Sequence, residues 1–484
     1  MSSTSTFTTT TAVPANHHLH HHLHHHHHQH IVKSLAPPIS PIVAKMKEHF
    51  LSLDIPMQVN AKAGTFAGFD LKPFSTGTTA GEPEVTCWLL DTRDLWHGDN
   101  IFSAEGAAQA LSLISLPEQN SCTTKMFVSD ARMSLASALL KRLFITKTLG
   151  IPWKDVKLAR KGNEKHGKPC AVDESGRPID GIDFNVSHQN GLVALIGWDG
   201  RKQHRYDPNG HIQGLLSPGM KQDDVMVGVD IVCVNERDSA HTTIDMEGFD
   251  GWVDIYDSVF SEEERWSMKY DVDRVTLLDG SQLKAADLGR HDRCITRHKD
   301  ISLTTPAGQD LTFSSELLID AKLRRFYTYF CYKEAYIKLA GEALLAPWLR
   351  QLEFSNVRSP RPGTQARCST HGTWGEEVDD VEVRLHGRPV DDVRMKIQAF
   401  EENFMLSTAI QGAVEGLTIP AFRKLDLQAD VMAFAGDHLT EPSVPTIKEP
   451  PGPVRNDSMM NMHGMPEVNQ CPEALLSPWE SRYF

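Results

Sequence analysis

Val225-Met226-Val227-Gly228-Val229-Asp230-Ile231-Val232-Cys233-Val234 is an apolar, β-branched run broken by one glycine and one carboxylate. Its length and composition predict a strand, and apolar residues at both parities predict a central one covered on both faces. Alternation puts Val225, Val227, Val229, Ile231 and Cys233 on one face, with Met226, Gly228, Asp230, Val232 and Val234 on the other. A carboxylate between covered sheet faces costs several kcal/mol unless something compensates it. Gly228, two residues earlier on the same face, leaves bare backbone that another group can approach closely. An Asp capping a turn at the end of a strand is the simpler alternative, but the apolar residues Ile231–Val234 still follow it.

Working outward, Val85–Leu90 reads as a strand and Asp130–Leu143 as a helix. Ile182–His188 and Leu192–Trp198 are apolar runs separated by Gln189-Asn190-Gly191. Asn-Gly there signals a hairpin, because a type I′ turn needs positive φ at both central residues. Lys322–Leu344 carries a long helical pattern, Asp392–Phe400 reads as helix, and Phe404–Ile410 as a closing strand. The polar, turn-rich stretch 270–315 is expected to be a surface insertion. On the long helix, Leu323, Tyr327, Phe330, Glu334 and Gly341 fall near one line at 100° per residue. Glu334 therefore sits in its own helix's apolar stripe. Lys338 at i+4 offers an ordinary helix ion pair worth a few tenths of a kcal/mol. A buried line that accepts Glu, Lys and Gly is better suited to lining a site. Two carboxylates from separate elements make a hard-oxygen pair suited to Mg²⁺, which keeps waters and takes phosphates as further ligands.

The chain has 484 residues and a formal charge of −14. That acidity argues against a general nucleic-acid or anionic-membrane binder. No apolar run approaches a membrane span. Eight scattered cysteines without a Cys-x-x-Cys pair suit reduced thiols in the cytoplasm. Residues 1–45 read as a disordered Ser/Thr- and His-rich tail, with a tract from His17 to His30, and 441–484 as a second disordered tail. Imidazoles in that tract could capture Zn or Ni. Lys154 to Lys168 is locally basic in an acidic chain, which suggests an anionic ligand.

Five short motifs occur in a fixed order. They are His166-Gly167-Lys168-Pro169, Phe184-Asn185-Val186-Ser187-His188, Val227-Gly228-Val229-Asp230, Phe260-Ser261-x-x-Glu264, and Phe330-x-x-Lys333-Glu334-Ala335-x-x-Lys338-x-x-Gly341. The set resembles the Sfp-type 4′-phosphopantetheinyl transferases, in their broad-specificity filamentous-fungal branch, over about residues 85–415. The resemblance implies an α/β (α+β) fold of two similar, pseudo-symmetric halves with the active site in the cleft between them. The halves would be 84–224 and 225–415, the latter with the insertion 270–315. It implies transfer of the 4′-phosphopantetheine arm of coenzyme A to a serine of apo carrier proteins, releasing 3′,5′-adenosine bisphosphate.

By the same resemblance, Asp230 and Glu334 would hold Mg²⁺ (or Mn²⁺), Glu334 would be the general base, and Lys338 would stabilise the pyrophosphate. Lys168, Lys333, Ser187 and His188 would bind coenzyme A, with Arg132 and Ser134 resembling the nucleotide contacts more loosely. Glu264, within the acidic run 262–264, reads equally as a solvated face. Expected partners are carrier domains of polyketide synthases, nonribosomal peptide synthetases and aminoadipate reductase, the enzyme acting as a monomer. Val232 stands where many members carry a second acid, which leaves a coordination position for water. Two rival readings stay open: a catalytically silent coenzyme A-binding scaffold, and a metal-binding or interaction protein organised around the His tract. Nucleotide hydrolysis finds no Gly-x-x-x-x-Gly-Lys-Ser/Thr loop, since Gly162-x-x-x-x-Gly167-Lys168 runs into Pro169.

Overall fold

Strand Val85–Asp91 (β1) opens the first of two four-stranded sheets in the computed structural model. The structure describes residues 85–162, 167–200, 225–235, 238–342, 346–363, 372–412 and 418–439, all within the unit Thr79–Phe484. The expected tails, the His tract and His166 lie outside the described residues.

Helix Val128–Leu149 (α1) follows, ended by Gly150 in the left-handed region. Ile182–Gln189 (β2) and Leu192–Asp199 (β3) then form the expected hairpin. Asn190 and Gly191 take φ of 46° and 82°, the signs that a two-residue I′ turn requires. Met226–Cys233 (β4) comes next, and helix Glu262–Tyr270 (α2) and the long helix Ser315–Ala340 (α3) follow. Trp374–Val378 (β5), Val393–Phe400 (β6), Phe404–Gln411 (β7) and Arg423–Leu425 (β8) complete the set used below. The first sheet runs β8-β1-β3-β2 and the second β5-β6-β7-β4.

Each sheet carries one long helix, so two helix-on-sheet cores form. Leu135, Leu139 and Phe144 of α1 pack with Phe184 and Val193, and Phe330, Ala335 and Leu339 of α3 pack with Val232, Ile397 and Met405. A third core lies between the sheets, where Cys87, Leu89 and Ile196 meet Val227, Val229, Ile231 and Leu406. The two parities read from Val225–Val234 thus fill different cores.

Several expectations need correction. Residues 393–400 are a strand and not a helix. All of Met395–Phe400 is buried and paired with β7, and a strand covered on both faces loses the alternation that would have marked it. β4 is an edge strand by its backbone ladder, pairing with β7 alone, although it is buried. The long helix starts earlier than the pattern suggested, at Ser315, where the Ser314 hydroxyl accepts the Glu316 N–H. It ends at Ala340, so Gly341 is no member of the helical stripe. With φ of 71° it is the left-handed C-cap.

The stretch 270–315 is folded. Two hairpins, Arg274–Thr276 with Gln282–Lys284 and Asp300–Thr304 with Asp310–Ser314, close over a small core of Val275, Leu283, Leu288, Ile301 and Phe313. The C-terminal boundary at 415 is also too early. β8 returns to pair in parallel with β1, and Leu425, Leu427, Val431 and Ala435 fill the first half's core. Among the described residues no helix is long and apolar enough to cross a membrane.

Candidate active site

Asp230 and Glu334 are both 1% exposed, and they come from elements that touch. A Cβ added at Gly228 would lie 2.1 Å from the Ala335 carbonyl oxygen and 2.6 Å from the Leu339 nitrogen. Glycine therefore lets α3 lie directly on β4. Across that contact the Cys331 thiol reaches the Asp230 carbonyl at 3.6 Å, and Lys338 Nζ donates to Asp230 Oδ1 at 2.7 Å. Cys331, Glu334 and Lys338 are spaced i, i+3, i+7 and share one helix face. Glu334 thus projects toward the strand between two residues that both contact Asp230. The Lys338 ammonium, which the i+4 spacing offered to Glu334, reaches Asp230 on the strand.

Ser187 completes the cluster from the other sheet. Its hydroxyl donates to Asp230 Oδ1 at 2.9 Å while accepting from Lys338 Nζ at 2.8 Å and from the Ile231 N–H at 3.3 Å. One donor and two lone pairs are all used.

His188, the next residue, belongs to the opposite face of β2, the face whose Phe184 and Val186 pack toward α1. Its Nδ1 is enclosed and has no hydrogen-bond partner within the described residues. Burial, then the positive charges of Lys338, Lys125 and Lys141, lower its pKa to about 4. The ring is neutral at pH 7 and stands among cations, which suits an anionic ligand that it can face without repulsion. An imidazole NMR titration of the free protein, assigned by difference with His188→Gln, is expected to show this ring titrating near pH 4. A midpoint near 6.5 would contradict the enclosed geometry. Linkage follows with the same sign: the unfolded ring protonates first, so stability present above pH 6.5 declines between 6.5 and about 4.

Lys125 and Lys141 carry no motif, and sequence reasoning missed them. The only signal was that Lys141 stands two turns beyond Ser134 on the same line of α1. Ser134 is half-buried there. Arg132, half a turn around from Lys141, donates instead to the Trp96 carbonyl at 3.0 Å.

Lys168 and Lys333 take positions different from those implied by the resemblance. Lys168 is buried, its ammonium held by the Asp183 carboxylate and by the Val227 carbonyl at 2.6 Å. Lys333 is fully buried on the far side of α3 from Asp230. It pairs with Glu264 at 2.9 Å and donates to the carbonyls of Leu349 and Leu352. Both ammonium groups are spent on protein acceptors. Glu264 is 2% exposed and no part of a solvated face. It closes a capping box with Ser261 at the start of α2 and accepts the Phe354 N–H at 3.1 Å, fixing the short strand Leu352–Ser355 to the helix.

The donor set fits a hard divalent cation of partial protein coordination. Both carboxylates are buried on elements in contact, Val232 supplies no third, and among the described residues no group of three His, Cys, Asp or Glu side chains could cage a metal. An ion that keeps water and takes phosphate oxygens meets those conditions.

Comparison with known proteins decides the family. Residues 103–199 match the family described as 4′-phosphopantetheinyl transferase, N-terminal. A 4′-phosphopantetheinyl transferase of Aureobasidium melanogenum is 61% identical over 353 residues, covering 72% of this chain and 97% of that protein. The chain belongs to the 4′-phosphopantetheinyl transferase family. 4′-Phosphopantetheinyl transferase A of Aspergillus fumigatus is 34% identical, covering 68% of this chain and 84% of that one. 4′-Phosphopantetheinyl transferase NpgA of Emericella nidulans is 30% identical, covering 74% and 96%. The human L-aminoadipate-semialdehyde dehydrogenase-phosphopantetheinyl transferase matches over 70 residues at 33%. As a phosphopantetheinyl transferase the chain modifies carrier proteins with coenzyme A as the donor, and the family uses a divalent metal.

Proposed function

We propose that the cluster of Asp230, Glu334, Lys338 and Ser187 is the transfer site, and that Mg²⁺ is its metal, held by the two carboxylates. The observation that supports this reading is the contact of β4 with α3 at Gly228, two elements that each carry one buried carboxylate, with Lys338 of the helix bonded to Asp230 of the strand. When bound, the ion would neutralise charge on the pyrophosphate as the phosphoryl group is transferred.

The chain's own residues supply the rest. Glu334 is the general base that takes the proton from the carrier serine hydroxyl. Lys338 holds Asp230 in place and presents a positive charge to the pyrophosphate. Neutral His188 with Lys125 and Lys141 receives the nucleotide phosphates, with Ser134 on the same side, while Arg132, turned to the Trp96 carbonyl, acts through structure. Buried Lys168 and Lys333 act through structure. Carrier domains of polyketide synthases, nonribosomal peptide synthetases and aminoadipate reductase are the proposed acceptors, in the cytoplasm, with the transferase monomeric. The net charge of −14 makes docking a matter of local basic groups at the cleft.

The decisive experiment mixes the protein with coenzyme A, Mg²⁺ and an apo carrier protein and reads the added arm by mass spectrometry, with and without chelator. Transfer that chelator stops supports the reading; transfer unaffected by chelator removes the metal from it. Replacing Lys338 by Met should lower kcat/KM for coenzyme A by about 10- to 100-fold, the loss of one charge-assisted contact to the phosphoryl centre. Initial rates at varied coenzyme A concentrations check this, and an unaltered value would remove Lys338 from the site.

A further inference from the structure

The two sheets meet at β2 and β4 without sharing a backbone ladder. Three side chains of β2 take its place. Asp183 Oδ2 accepts the Val227 N–H at 2.9 Å, Asn185 Oδ1 accepts the Val229 N–H at 3.1 Å, and Ser187 Oγ accepts the Ile231 N–H at 3.3 Å. Donor and acceptor are 44 residues apart in each case, so the strands keep register along the seam. These are the N–H groups that an edge strand turns away from its neighbour, here β7, and buried donors of this kind must find partners. Polar side chains in between hold the strands farther apart than the roughly 4.8 Å of a backbone ladder. A lysine closes the seam at each end: Lys168 between Asp183 and the Val227 carbonyl, Lys338 between Ser187 and Asp230.

We propose that Asp183 and Asn185 are positioning residues for the transfer site, acting through the backbone of β4 to set the place of Asp230. The inference rests on the reading of Asp230 as a metal-holding carboxylate. Asp230 lies between Val229 and Ile231, whose N–H groups are the second and third rungs of the seam. An apolar contact between two strand edges could slide along its length; hydrogen bonds at every second residue admit one register. That register puts Ser187 Oγ and Lys338 Nζ on the same oxygen of Asp230. Lys168 becomes intelligible in the same terms: its charge neutralises Asp183 and anchors the first rung.

The test uses the full chain with Asn185→Leu, which removes the acceptor, and Asn185→Asp, which keeps one. Asn185→Leu is expected to speed hydrogen exchange across Val225–Cys233. It should weaken Mn²⁺ binding in the presence of coenzyme A, counted by electron paramagnetic resonance, by about 10-fold, the loss typical when a ligand's supporting partner is removed. It should lower kcat by a similar factor while KM for coenzyme A stays within about twofold. Asn185→Asp should recover most of both losses.

Faster exchange with unchanged Mn²⁺ affinity and kcat would overturn the proposal, leaving the seam structural only. Equal losses in the Leu and Asp variants would overturn it too. Should Asn185→Leu fail to fold, Asp183→Asn reads the same two quantities, because it keeps the acceptor for Val227 but strips the charge facing Lys168. A loss of Mn²⁺ affinity there supports the proposal and none overturns it. Failure of the functional reading looks different: the unaltered protein would not modify an apo carrier, whereas exchange and Mn²⁺ binding in the variants would still decide the seam.

Discussion

Replacing Glu334 by Gln or Asp230 by Asn should abolish measurable transfer while the protein stays folded. Each substitution preserves shape and removes one negative charge from a place where both are 1% exposed. Asn at 230 can still accept hydrogen bonds from Ser187 and Lys338, so the seam between the halves persists. What is lost is charge stabilisation at the phosphoryl centre and, at Glu334, the proton acceptor. The expected fall in kcat/KM is about 10³-fold, or about 4 kcal/mol of transition-state stabilisation. Mass spectrometry of a carrier protein gives the transfer rate, and circular dichroism with thermal melting gives the fold. A variant that melts normally and turns over within a few-fold of the parent would show that the reacting groups are elsewhere.

The reason the two buried carboxylates of the candidate site were legible lies in what is costly to bury. A carboxylate in Val225–Val234 and another in the apolar line of the 322–344 pattern both break the pattern around them, and both proved to be buried. The Asn190-Gly191 hairpin was legible for a similar reason, since few sequences tolerate two consecutive positive φ values. Lys168 and Lys333 were misplaced because residue type and motif context do not reveal the acceptor. Asp183 and Glu264, which take those ammonium groups, are distant in sequence or hidden in an acidic run. Lys125 and Lys141 went unseen because a cation on a helix or loop breaks no pattern. Residues 393–400 were misread because covering both faces of a strand erases the period that identifies it. Likewise the fold of 270–315 rests on single apolar residues in short hairpins, too sparse to announce a core.

The strand and the helix that carry the two carboxylates are coupled at one atom-sized gap, and this makes Gly228→Ala the sharpest structural test. The methyl group would lie 2.1 Å from the Ala335 carbonyl oxygen and 2.8 Å from Leu339 Cβ. The nearest atoms are helix backbone, which cannot rotate aside as a side chain can. Either α3 lifts from β4 or the strand bends. Overpacking of this kind costs about 1–3 kcal/mol, so a melting temperature several degrees lower is expected. The larger effect should fall on activity. Lifting α3 moves Glu334 and Lys338 together, away from Asp230 and Ser187, and misplacement by about 1 Å can cost about 100-fold in rate. Gly228→Ala should therefore lose far more turnover than its modest loss of stability would suggest at a temperature where it is fully folded. A control at Gly176, on a surface turn where an added Cβ meets nothing within 4 Å, should leave turnover unaffected. Its φ of +82° could cost stability by local strain alone, so the comparison separates backbone strain from displacement of the helix. If Gly228→Ala turned over normally while melting earlier, the close approach of strand and helix would serve packing alone and the two carboxylates would not depend on it.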